Sequence, residues 1–176
     1  MRTIKFIFFL VSVIVVVSCI KIQTLPPEPR IEYRNFTVFD TTDILGNDVK
    51  GGRLKFYFED GDGDMGYNSP EAEQEIDSIN LFFTLYRMKN GIVTLAPADD
   101  PLRPSGYRIP FMERLGQNKI LKGTVAVTFM YLFYSEKDTI KYDFYIKDRA
   151  GNISNTVSTS DIPLYHNGTY PDTGIN

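Results

Sequence analysis

An all-β sandwich is the fold this sequence predicts, and three features predict it. Tyr and Phe number 11 and 13 while Trp is absent, and aromatic and β-branched enrichment favours strands over helices. Short runs alternate apolar and polar residues, above all Leu54, Phe56 and Phe58 against Lys55, Tyr57 and Glu59, and Ile140, Tyr142, Phe144 and Ile146 against Lys141, Asp143, Tyr145 and Lys147. A period of two is the mark of a strand with one face buried. Clusters of Asp, Asn, Gly and Pro divide these runs at intervals typical of antiparallel sheets. The pattern gives about seven or eight strands in two antiparallel layers, with one long loop insertion.

Along the chain, Ile31 to Phe39 alternates loosely and opens the domain, which is predicted over 31–165. Leu54 to Glu59 is a half-buried strand. In the stretch Gly61–Ile76, Ser69 is placed to cap Pro70, so Ser69–Glu75 is the one predicted helix. Ile79 to Met88 is a long apolar strand, and Asn90-Gly91 turns it as a hairpin into Ile92–Ala96. Pro97, Pro101, Pro104 and Pro110 interrupt the next stretch, with a short strand through Tyr107–Ile109. Val125 to Tyr134 is another long strand. A turn at Asp148–Asn152 leads from the clean alternation ending at Lys147 into a last strand near Thr156–Leu164. Residues 166–176, with the single His166, read as a tail.

The amino terminus carries Arg2 and Lys5, then apolar residues from Phe6 to Val17, then Val16-Val17-Ser18-Cys19. The apolar run is shorter than the roughly 20 residues that cross a bilayer as a helix, and it has the length of a secretory h-region. This resembles a bacterial lipoprotein signal with its lipobox, Val standing where Leu is commoner. The resemblance implies that residues 1–18 are removed, that Cys19 carries the N-terminal lipid (palmitate included), and that the protein is anchored in the outer membrane. Ile20-Lys21-Ile22-Gln23 lack the acidic cluster some bacteria use for surface export, which leaves the periplasmic and cell-surface faces both open. Residues 19–30, with Pro26, Pro27 and Pro29, read as a tether. In polyproline geometry it rises ~3.1 Å per residue and holds the domain roughly 30 Å from the lipid.

Composition excludes several functions. Acidic residues outnumber basic ones, 22 to 19, and the leader removes Arg2 and Lys5. A chain this acidic has nothing to neutralise phosphates, so nucleic acid is not the expected partner. One Cys, committed to lipid, leaves no disulfide and no thiol chemistry. One His leaves no His-based metal cluster and no evident general base, and neither Gly-x-Ser-x-Gly nor His-Glu-x-x-His occurs. The expectation is a protein without catalytic activity.

Two further blocks carry a resemblance. Asp138 to Asn152, continued by Ile153-Ser154-Asn155-Thr156-Val157, resembles the last hairpin of bacterial immunoglobulin-like or fibronectin III-like modules. Phe56 to Gly66 is similar to a loop of small bacterial lipoproteins that carry such domains. The resemblance implies an immunoglobulin-like sandwich in which the loop after the second strand and the loop before the last share one pole.

Within that loop Asp60, Asp62 and Asp64 stand at i, i+2 and i+4, interleaved by Gly61, Gly63 and Gly66. Carboxylates so close repel one another, and a hard cation with six to eight oxygen ligands relieves the repulsion. Counted as a calcium loop, the three Asp take positions 1, 3 and 5, the Gly66 carbonyl 7, Asn68 9 and Glu71 12. Met65 stands where Gly is usual. Asp148 arrives from the partner loop at the same pole, and Glu113 is placed to approach. The expectation is one Ca²⁺ that orders the loop; the alternative is a solvated acidic turn.

Two strands are apolar on both faces. Val125, Val127, Phe129, Tyr131 and Phe133 alternate with Ala126, Thr128, Met130, Leu132 and Tyr134, and Ile79, Leu81, Phe83 and Leu85 are joined by Phe82, Tyr86 and Met88. A two-layer sandwich buries one face only. Either the Lys89–Lys119 insertion folds back over the outer face with Phe111 and Met112, or Phe82, Tyr86, Met130 and Leu132 form a surface for a protein partner in the cell envelope. The function expected is an accessory or interaction subunit acting through protein contacts. The alternative is a glycan- or ligand-binding lipoprotein using the loop pole, with Tyr67, Tyr107 and Tyr145 as stacking platforms.

Overall fold

The structure, a computed structural model, describes residues 25–67, 79–112, 119–135 and 137–172. Among them the strands are β1 (Arg30–Thr42), β2 (Asp48–Asp60), β3 (Leu81–Lys89), β4 (Ile92–Leu95), β5 (Leu121–Tyr131), β6 (Thr139–Ile146), β7 (Val157–Ser158), β8 (Ile162–Pro163) and β9 (Gly168–Pro171). No helix among the described residues is long and apolar enough to cross a membrane. The predicted helix Ser69–Glu75 lies outside the described residues.

All pairings of the strands are antiparallel and form two sheets, β5-β2-β1-β9 and β4-β3-β6-β7, with β8 also on β6. The first, second and fifth strands thus lie against the third, fourth and sixth, the two layers of an antiparallel β-sandwich. Two strands differ from expectation. The predicted last strand divides into β7 and β8, each two residues long. The segment expected as a tail supplies β9, which pairs with Asn35–Val38 of β1. It is held there because the Tyr33 hydroxyl donates to the Tyr170 carbonyl.

The inward faces follow the period-two pattern. Ile31, Phe36, Leu54, Phe56 and Phe58 of one sheet meet Leu81, Leu85, Ile140, Tyr142 and Phe144 of the other. Rings interlock across the layers, with Phe56 and Phe144 centroids at 5.3 Å and Phe129 and Tyr142 at 5.6 Å. The buried Tyr142 hydroxyl donates to the Leu102 carbonyl at 3.1 Å and lies 3.1 Å from the Tyr131 hydroxyl. The two phenols satisfy each other where an unpaired one would be costly.

The insertion does something other than roof an outer face. Its residues run along the free edge of β3, where Ala96 N–H donates to Leu85 O, and Tyr107 and Leu81 exchange both main-chain bonds at 3.0 Å. Ala96, Leu102 and Ile109 enter the core, and Tyr107 meets Phe129 edge-on at 5.2 Å. The insertion therefore closes the flank of the sandwich between β3 and β5. Arg87 fixes it, donating Nε and Nη2 to Asp100 at 2.8 and 2.7 Å and Nη1 to Asp138 at 2.7 Å.

The residues named for a partner surface lie on two different faces. Phe82 and Tyr86 lie on the outer face of β3. Met130 lies on the outer face of β5, in the opposite sheet, with Leu132 just beyond it; these two are 49 % and 54 % exposed. The four side chains do not form one surface, because the two outer faces of a sandwich point in opposite directions.

Candidate metal centre

β2 ends on Asp60, which pairs with Leu121 at the start of β5 and whose side chain is fully buried. The chain then turns through Gly63 and Gly66, at φ +67° and +85°, values glycine adopts without strain. Asp60 Oδ2 accepts from the Met65 N–H at 2.9 Å and closes a short loop. The Met65 side chain drops into the core, fully buried. Met65 thus plugs the sandwich where a calcium loop has glycine, and the tight backbone moves one residue on, to Gly66. A Cβ at Gly66 would lie 2.1 Å from the Pro110 carbonyl oxygen.

The second loop leaves β6 through Asp148, also fully buried. Its Oδ1 accepts from Asn152 N–H at 2.7 Å and its Oδ2 from Asn152 Nδ2 at 2.8 Å. The Ala150 N–H donates to Asp64 Oδ2 at 2.9 Å and ties the two loops together. Tyr67 adds a hydroxyl bond to the Asp148 carbonyl at 3.2 Å. The loops share one pole, as expected, since the end of β2 and the end of β6 face the same way.

Asp60, Asp62, Asp64 and Asp148 each offer a carboxylate oxygen, and the four oxygens lie within 4.8 Å of one another. Asp60 Oδ1 and Asp64 Oδ1 are buried and have no hydrogen-bond partner among the described residues. Burial, then a contact with the Asp62 carboxyl and its charge, pushes the Asp60 carboxyl up to about 6, against the Met65 N–H that pulls the other way. Burial and the charges of Asp148 and Asp62 raise the Asp64 carboxyl as well. Carboxylates pushed upward by each other, with oxygens left over, are a set that could hold a metal ion, and oxygen donors of this hardness suit hard cations.

Of the other residues predicted for the site, the Gly66 carbonyl is turned to Arg149, whose Nη1 donates to it at 2.8 Å. Arg149 also lies over the Phe111 ring at 4.8 Å, which is where that aromatic goes. Asn68, Glu71, Glu113 and Cys19 lie outside the described residues. Tyr67 and Tyr107 are both half-buried, the first bonded through its hydroxyl to the Asp148 carbonyl and the second packed edge-on against Phe129. The reading of the sequence missed Asn152, which clamps both oxygens of Asp148; the Asp-x-x-Gly-Asn turn held the signal.

The amino-terminal chain reaches the same pole. Leu25 and Pro26 pass so close over Gly61 that a Cβ there would lie 2.1 Å from the Pro26 oxygen and 2.5 Å from that of Leu25. Asn155 then fixes Ile31, accepting from its N–H at 2.8 Å and donating to its carbonyl at 3.0 Å. Searches of family models, curated proteins and solved structures find no match to this chain, and the role of the pole is read from its own geometry.

Proposed function

We propose that this is a non-catalytic extracytoplasmic lipoprotein, anchored in the outer membrane through lipid on Cys19, whose loop pole is ordered by one Ca²⁺ and which acts as an accessory or interaction subunit through protein contacts. The Asp60 carboxylate carries the metal reading. It is fully buried, one of its oxygens has no hydrogen-bond partner among the described residues, and three more carboxylates converge within 4.8 Å. Each like-charged pair at that separation costs roughly 3 kcal/mol at an effective dielectric of about 20. A divalent cation turns those repulsions into attractions. Ca²⁺ accepts irregular oxygen cages, whereas Mg²⁺ demands a near-ideal octahedron and keeps its waters. Asp60, Asp62, Asp64 and Asp148 would hold the ion, and the loop spacing offers Asn68 and Glu71 for further oxygens.

The lipid anchor is supported by the leader ending at Cys19. Protein contact is supported by the apolar side chains exposed at the end of β5, Met130, Leu132 and Phe133. Three measurements test the reading. Calorimetric titration of the lipoprotein with CaCl₂ gives heat that Asp62→Ala removes; no heat up to millimolar calcium overturns the metal. Palmitate labelling disappears in Cys19→Ser; labelling that persists overturns the anchor. Pull-down from detergent-solubilised membranes returns a stoichiometric protein partner; its absence overturns the subunit role.

A further inference from the structure

A groove of about 600 Å³ opens beside the outer face of the second sheet, between β3 and the insertion. Phe82, Phe83, Asp99, Arg103, Ser105 and Tyr145 line it. Its origin is a gap in main-chain pairing. The insertion bonds β3 at Leu85, through Ala96, and at Leu81, through Tyr107, and bows outward in between. Residues two apart along a strand direct their N–H and C=O to the same edge. Phe83, between Leu81 and Leu85, therefore offers one donor and one acceptor to the groove, and neither has a hydrogen-bond partner among the described residues.

The floor beside this open pair is aromatic. Phe82 and Tyr145 face each other across the strands, stacked at 5.0 Å and 16°. The rim is polar: Asp99 and Arg103 are exposed, and no ion pair or hydrogen bond among the described residues engages their side chains. The wall is rigid. Asp100 takes the Arg87 fork and the Leu102 N–H at 2.9 Å, and Leu102 is buried in the core. Its shape therefore exists before any ligand arrives, as in most small-molecule sites, and its volume lies within their roughly 300–1,000 Å³.

We propose that this groove binds a neutral saccharide, a short segment of a longer glycan. The aromatic floor packs the carbon face of a pyranose. A donor and an acceptor side by side on Phe83 match two adjacent hydroxyls, each able to donate and to accept. Asp99 and Arg103 add one acceptor and one donor whose charges cancel, and the Asp100 charge is taken up by Arg87, so the recognised ligand is uncharged. An extended peptide matches less well. Strand addition uses a run of open main-chain groups, and here Leu81 and Leu85 close the edge on both sides of a single residue. This inference goes beyond the metal reading and does not depend on it.

The test is calorimetric titration of the full lipoprotein, in a detergent without a sugar headgroup, with cellohexaose, maltohexaose and the hexamer of N-acetylglucosamine. At least one binds with Kd below about 1 mM, and Arg103→Ala and Tyr145→Ala each weaken it about tenfold or more. Arg103 and Asp99 are exposed and their side chains have no partner among the described residues, so Arg103→Ala and Asp99→Asn keep the test valid if Tyr145→Ala fails to fold. No binding by any of the three hexamers up to about 10 mM overturns the proposal. So does binding that the substitutions leave unchanged, or tighter binding of a galacturonate hexamer or of an extended peptide.

Discussion

Replacing Asp60 by Asn should stabilise the metal-free protein and destabilise it relative to wild type once calcium is present. Asn keeps the size of the side chain and an oxygen for the Met65 N–H, and removes one negative charge from the four. A carboxyl raised from 3.8 to about 6 is held ionised at pH 7 against about 3 kcal/mol, at 1.36 kcal/mol per unit. Coulomb repulsion from three carboxylates within 4.8 Å sets a higher ceiling, which solvent around the partly exposed Asp62 and Asp64 lowers. The expected gain in EDTA is about 1–3 kcal/mol, a rise in Tm of roughly 3–10 °C for a chain of this size. Calcium at about 1,000 times its Kd adds some 4.1 kcal/mol to the wild type, more than the variant's gain, and the variant forfeits most of it. The order of the two melting curves, followed by far-UV circular dichroism, therefore reverses between EDTA and calcium. A loss of stability in EDTA, or an equal calcium shift in both proteins, would refute the reasoning: Asp60 would then be a structural acceptor and not a repelled ligand.

Other substitutions test the frame around the pole. Arg87→Ala leaves Asp100, whose side chain is 6 % exposed, as an uncompensated buried charge and should cost about 3 kcal/mol in urea unfolding. Burial raises the Asp100 carboxyl, but the Arg87 fork and the Leu102 N–H outweigh it and leave it below its ordinary 3.8. Its contribution is therefore present above about pH 4 and lost as pH falls through the lowered value, so wild type should lose more stability than Arg87→Ala between about pH 5 and 3. Gly61→Ala drives a Cβ to 2.1 Å from the Pro26 oxygen; about 1–3 kcal/mol of stability should go, and limited proteolysis should cut faster near residues 25–30. Phe129→Ala removes a ring that packs on Phe36, Tyr131 and Tyr142; a loss of about 3–5 kcal/mol is expected, and a loss under about 1 kcal/mol would mean the core collapses to fill the space.

The layers were legible in the sequence wherever a strand alternated without interruption, as in Ile140–Ile146. β2 was seen only from Leu54, because Gly51 and Gly52 carry no side chain to show the period. They are glycine because the Phe39 and Phe36 rings lie where their Cβ atoms would be, each at 2.5 Å, and that crossing exists only once β1 has paired. β9 escaped notice because four residues at a sheet edge present no period of their own. The spacing Asp60-Asp62-Asp64 showed the acidic loop, and the fold-level resemblance placed Asp148 beside it. What spacing could not show was direction: Met65 turning inward, the Gly66 carbonyl turning to Arg149, and the insertion filling a flank. Each depends on a contact between residues distant in sequence, and so does the open pair on Phe83, which exists because the insertion skips it.

The crossing of Leu25 and Pro26 over Gly61 joins two things that lie far apart along the chain, the segment that leads into β1 and the pole where the charges gather. Gly61 is the peptide link between Asp60 and Asp62, so tension drawn along the amino-terminal strap bears first on the spacing of those two acids. In the other direction, any rearrangement of the carboxylates shifts the point at which the strap enters. The opposite end of the molecule, with the turn at Asp43–Asn47 and the Asn90-Gly91 hairpin, stands a full strand length from that linkage, so a change at the pole reaches it only through the strands.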